Sequence, residues 1–191
     1  MVAVGSGVDQ GAAAVVGVGH PSDQAAVDAM RRALNALDIE GKPPLSFSIK
    51  GDGPLAEFKA DIDRFAVNET FCGIRCGGGY FADLEAGSFL EDVAHLVAKD
   101  LELDVLMGPE QLGQVAELAR RLPDLRIVVN HCGGIPIDGN SPDPTRLDLM
   151  RRSAVHPQVY CKVSGMMDLR STVKPAPTDL EFYAPVLDAL W

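Results

Sequence analysis

The chain is short of positive charge. Against 27 Asp and Glu it carries 17 Lys and Arg, for a formal net charge of -10 at pH 7. Nucleic acid and anionic membrane surfaces both select basic faces, so neither is expected as a partner. Cysteine is scarce as well, with four residues at Cys72, Cys76, Cys132 and Cys161. Cys72 and Cys76 have no second pair at zinc-finger spacing, which argues against a structural zinc site. The expectation is reduced, buried thiols in an intracellular protein. No apolar run approaches the ~20 residues of a membrane span, and no basic lead precedes the apolar N-terminal residues. The expected location is the cytoplasm.

What is present fits a soluble α/β protein. The 191 residues, 47% of them hydrophobic, suffice for one domain with a real core. One domain over 1–191 is expected, with an irregular leader at 1–20. Gly5-x-Gly7-x-x-x-Gly11 has the look of a dinucleotide turn, but Gly11 opens the strand-like Ala12 to Val18 where that fingerprint needs a helix. Ser22 is a candidate cap for a helix over Ala25 to Leu37, and Gly41-Lys42-Pro43-Pro44 breaks the chain.

From there the pattern alternates. Strand-like runs at Leu45–Ile49, Phe71–Arg75, Leu101–Met107, Leu125–Val129 and Gln158–Val163 are separated by helical periodicity. The helices are read at Pro54–Phe65, Ser88–Ala98, Gln111–Leu122 and Pro144–Ala154, with a last one over Asp179–Trp191. About six βα units imply parallel strands joined by right-handed crossovers, either an open doubly wound sheet or a (β/α) barrel. Arg75, His131 and Ser164 each fall at the C-terminal end of a different strand, and a barrel mouth gathers such ends.

Those ends carry the candidate chemistry. His131 leaves a buried strand into Cys132-Gly133-Gly134, a rigid support opening on a cleft. Arg75, before the glycines Gly77 to Gly79, suits bidentate carboxylate binding, or else makes a surface ion pair. Lys162 either serves the site or pairs with an interior carboxylate, for which Asp104 inside an apolar strand is the candidate. Ser164 lacks the His-Asp arrangement that a nucleophile needs. A catalytic zinc needs about three protein ligands. His95 lies in a helix, His156 precedes a strand, and His20 stands alone before a proline, so none obviously joins His131. Asp138, Asp143 and Asp148 read as loop and helix-cap residues.

Three motifs together resemble the amidohydrolase-related branch of the amidohydrolase superfamily, which includes lactonases and decarboxylases. They are Gly73-Ile74-Arg75, the run Ile127-Val128-Val129-Asn130-His131-Cys132-Gly133-Gly134-x-Pro136, and Tyr160-Cys161-Lys162-Val163-Ser164-Gly165-Met166. The resemblance runs from about Leu45 to Trp191 and implies a TIM-barrel-like (β/α) fold. It implies that His131 is the catalytic histidine and a metal or substrate ligand, and that Arg75 holds a substrate carboxylate. Lys162 and Ser164 match a recurrent motif on the substrate side. One divalent metal, zinc or manganese, is compatible with the resemblance, and so is none.

The sequence departs from that family at both ends. It has no His-x-His pair, and it stops at Asp188-Ala189-Leu190-Trp191, before the family's last-strand aspartate. Barrels of this type take about 250 residues, so an incomplete barrel, truncated at both ends, is expected. Its open edges would favour a homo-oligomer. The leading expectation is a metal-dependent-type hydrolase of a small carboxylated lactone, ester or amide, the substrate carboxylate being its small-molecule partner. The alternatives are an inactive barrel fragment, non-enzymatic or needing another chain, and a decarboxylase of the same family.

Overall fold

The computed structural model describes residues 45–48, 58–67, 71–77, 79 and 83–190. The leader at 1–20, its glycine spacing and strand, the helix over Ala25–Leu37 with its Ser22 cap, the break at Gly41–Pro44 and the first turn of the helix read from Pro54 lie outside the described residues.

Among the described residues five strands form one sheet: β1 (Leu45–Ser48), β2 (Phe71–Gly77), β3 (Glu102–Leu106), β4 (Arg126–Val129) and β5 (Val159–Cys161). Every pairing is parallel, and the strands lie in the sheet in chain order. An open doubly wound sheet reverses its strand order at a switch point. This one never reverses, and it follows the winding of a barrel arc. Helices α1 (Phe58–Ala66), α2 (Phe89–Ala98), α3 (Leu112–Arg121) and α4 (Pro144–Ala154) follow the first four strands, and α5 (Leu180–Leu190) comes last.

Local chemistry explains the boundaries. Asp143 caps α4, its carboxylate accepting from the Thr145 and Arg146 amides at 3.0 and 3.1 Å, and Pro144 occupies the first turn, where a missing N–H costs nothing. Asp138 accepts from the Asn140 amide at 2.9 Å and shapes the loop before it. In α3 the buried residues Leu112, Val115, Ala116, Leu118 and Ala119 recur at helical spacing, with Arg120 and Arg121 in the last turn.

Strand alternation gives the sheet two faces. Leu103, Val105, Ile127 and Val129 are wholly buried and share one cluster with Leu96 of α2 and Leu112 and Leu118 of α3. Each such side chain contributes roughly 1.5–3 kcal/mol by leaving water. The residues between them point the other way: Arg75 pairs in register with Asp104, Asp104 with Val128, and Val128 with Tyr160.

Strand β5 is shorter than the expected Gln158–Val163, yet Lys162 stays tied to β4, donating to the Val129 carbonyl at 2.8 Å. Among the described residues β5 is one edge of the sheet, with Tyr160 55% exposed. Cys161 is a free cysteine on an exposed residue, although burial of its thiol pushes the pKa up to about 12, and Cys72 is partly exposed, which corrects the expectation of four buried cysteines. Cys76 and Cys132 are buried as expected.

Candidate active site at the strand ends

His131 takes its position from an unusual turn. Asn130, directly after β4, is extended, and the next four residues all have positive φ: 51° at His131, 56° at Cys132, 64° at Gly133 and 73° at Gly134. A left-handed turn costs an L-residue roughly 1–2 kcal/mol, so His131 and Cys132 are held there against local preference. The holding groups are visible. The Cys132 amide donates to the Lys162 carbonyl at 2.9 Å, and the Gly133 amide to the Asn130 carbonyl at 3.1 Å. A Cβ on Gly134 would fall 2.7 Å from the Met107 carbonyl oxygen, so the turn packs directly onto the end of β3.

The imidazole is fixed on one side. Its Nδ1 lies 3.0 Å from Ser164 Oγ, and a Cβ on Gly165 would come within 2.8 Å of the same nitrogen. His131 lines an open cleft of about 530 Å³ together with Leu106, Met107, Gln111, Leu169 and Arg170.

Asp104 stands two residues before Leu106 on β3, on the same face and wholly buried. Lys162 Nζ donates to both of its oxygens at 3.0 and 3.1 Å, and Arg75 Nη2 donates to Oδ2 at 3.2 Å. The Lys162 and Arg75 side chains are 20% and 16% exposed. One carboxylate thus holds two cations on the face away from the helices. The suspected Lys162–Asp104 pair is present, and the Arg75 ion pair is interior, not at the surface.

The field around His131 is positive. Burial pushes its pKa down first, and the charges of Arg75 and Arg170 push the same way; Asp168 opposes them. The imidazole is accordingly neutral near pH 7. Burial also lowers Lys162, against the pull of Asp104, while burial and the Asp104 charge raise the neighbouring Glu102.

Of the four expected site residues, His131 and Ser164 touch, and Arg75 and Lys162 meet through Asp104. Only His131 of the four lines the cleft. His95 is elsewhere, its Nε2 2.9 Å from Asp63 Oδ1 between α2 and α1. Arg170 was missed. It lies six residues past Ser164 with no motif of its own, and its only signal was a long basic side chain in a polar stretch.

The described residues around His131 do not match a metal site. Among the described residues no three His, Cys, Asp or Glu side chains gather to hold an ion. The charges that act on His131 are those of Arg75, Arg170 and Lys162 against Asp168, a positive balance that repels a divalent metal and attracts an anion.

The chain matches the family described as Amidohydrolase along residues 1–190. It belongs to that family. This amidohydrolase-family chain is 30% identical over 138 residues to the L-fucono-1,5-lactonase of Burkholderia ambifaria, an alignment covering 68% of the chain and 46% of the lactonase. Among solved structures, a Burkholderia multivorans amidohydrolase with bound HEPES superposes with TM-score 0.63 at 21% identity, covering 93% of this chain and 63% of that one. The same enzyme has also been crystallised with bound zinc. A probable 2-pyrone-4,6-dicarboxylic acid hydrolase from Acinetobacter baumannii, with citric acid bound, gives TM-score 0.65 at 14% identity over 92% of this chain and 61% of that one. The barrel fold is thereby shared, and the chain spans about half the length of the curated lactonase and under two thirds of these structures. Among the described residues no helix is long and apolar enough to cross a membrane.

Proposed function

We propose that the chain carries part of a hydrolase site for a small carboxylated lactone, ester or amide. The observation behind this reading is the neutral His131 at the strand mouth, facing a cleft and set among Arg75, Lys162 and Arg170. The lactonase and the dicarboxylic acid hydrolase among its relatives support the substrate class.

In this reading the Ser164 hydroxyl donates to His131 Nδ1, which leaves the ring proton on Nε2. That N–H donates to the substrate carbonyl oxygen and stabilises the negative charge that grows there as water adds to the carbonyl carbon and loses a proton to solvent. The acyl C–O or C–N bond then breaks, and the leaving oxygen or nitrogen takes a proton from solvent. Arg75 and Lys162, held in place by Asp104, make the field around that oxygen positive before the reaction starts, so little reorganisation is needed. The field of Arg75 also favours a substrate carboxylate. The zinc belongs to a neighbour, and the described residues around His131 do not match one; no step here runs through a metal.

The test is hydrolysis followed by base uptake at constant pH, with L-fucono-1,5-lactone and 2-pyrone-4,6-dicarboxylic acid as substrates. Turnover of the carboxylated lactone is expected, with His131→Ala slower by about 10²–10³-fold, the usual cost of an oxyanion-stabilising donor. No turnover of either lactone above buffer would overturn the hydrolase reading in favour of a non-catalytic chain.

A further inference from the structure

We propose that Arg170 selects the anionic group of the ligand in this cleft. The role rests on the hydrolase reading and gives its carboxylate preference a definite holder.

Arg170 reaches the cleft through backbone geometry. Gly165, at φ 64°, starts a single turn of π-helix over Met166–Arg170, in which the Arg170 amide donates to the Gly165 carbonyl at 2.8 Å and the Ser171 amide to the Met166 carbonyl at 2.8 Å. Single π turns of this kind recur at functional sites. The segment is then stitched to the loop after His131: the Ile137 amide donates to the Arg170 carbonyl at 2.9 Å, and the Thr172 amide to the Ile137 carbonyl at 2.9 Å. Arg170 is thereby carried back beside the left-handed turn.

Its guanidinium is anchored but not consumed. Nη1 donates to the Gly134 carbonyl at 3.0 Å, while the buried Nε has no partner. Arg75, whose Nε also has no partner, differs because its charge is paired with the buried carboxylate of Asp104, whereas Arg170 is held by a neutral carbonyl. Asp168, on the same turn as Arg170, forms no ion pair with it. A planar guanidinium anchored at one corner and facing a cleft is set up for the paired N–H contacts of a carboxylate. Leu106, Met107 and Leu169 line the same space, so the ligand would place an anionic end at Arg170 and an apolar body against these side chains.

Calorimetric binding of glutarate, compared with its neutral diamide, tests the assignment without requiring turnover. Wild-type chain is expected to bind glutarate and not glutaramide. Arg170→Gln is expected to weaken glutarate binding by about tenfold or more, the range of a hydrogen bond to a charged group. Thermal unfolding of the same samples shows whether the fold is kept. Arg170→Lys keeps the charge and loses the fork; its affinity should fall between the two, and it decides the matter if the Gln variant does not fold. Undiminished glutarate binding in either folded variant, or equal binding of glutarate and glutaramide by wild type, overturns the proposal. Glutarate binding through Arg170 without hydrolysis of any lactone would sink the hydrolase and keep the anion site. Lactone turnover with its carboxylate preference intact in Arg170→Gln would do the reverse.

Discussion

Leu103 and Asp104 are adjacent residues of one strand, both wholly buried, and they face opposite sides of the sheet. Leu103 enters the apolar cluster with the helices, as do its counterparts Ile74 and Ile127. Asp104 enters a pocket of charge with Arg75 and Lys162. The same backbone therefore carries a face that packs against the helices and a face that carries the ion cluster. Burial alone does not tell them apart; what distinguishes them is whether the neighbours are apolar or ionic.

The sharpest test of this contrast replaces each residue in turn. Asp104→Asn leaves two cations side by side without their counter-charge and is expected to cost about 3–5 kcal/mol in urea unfolding, as removal of one partner from a buried ion cluster does. Leu103→Ala, through the cavity it opens, should cost about 2–5 kcal/mol. A value under about 1 kcal/mol for Asp104→Asn would mean that the charged face is effectively solvated, and the contrast would fail.

A smaller effect is expected at Gly165, where the two motifs of the site touch. Gly165→Ala must hold a side chain at φ 64° and push a methyl group to 2.8 Å from His131 Nδ1. About 1–2 kcal/mol of stability should go, and lactone turnover should fall further than that loss explains because the imidazole is displaced. Wild-type turnover in a folded Gly165→Ala would show that the ring position does not matter.

The smallest effect is in protonation. Because its folded pKa is depressed below the ordinary 6.5, neutral His131 contributes stability that is complete above pH 6.5 and is lost as pH falls through the folded value. Titration of the imidazole by NMR should place it below 6.5, and Arg170→Gln should move it upward by removing one of the charges that lower it. A downward or absent shift would show that Arg170 does not face the ring.

Much of this frame can be read from the residues. Periodicity and glycine–proline punctuation located β2 to β5 and their helices to within a few residues, and helix α4 at both ends. The strand-end position of His131 and the Lys162–Asp104 pair were also legible, because a lone carboxylate inside an apolar strand demands a partner. Three features were not. The left-handed turn begins at His131 and Cys132, ahead of the two glycines that mark a turn in the sequence, so nothing in the glycine pattern places its start. Arg170 depends on a π turn and on hydrogen bonds to a loop more than thirty residues earlier in the chain. The exposure of Cys161 depends on its being in the edge strand, a property of the sheet and not of the apolar run around it.

The order of the sheet also bears on how the molecule assembles. Among the described residues each strand pairs only with its neighbours in the sequence, so every pairing closes a loop of similar, moderate length, and the frame can grow outward one unit at a time. Lys162–Asp104 is the exception: it joins residues 58 apart and skips over β4. That contact cannot form until both of the later strands have docked. During folding, the frame would therefore be built before Lys162 joins Arg75 and Asp104.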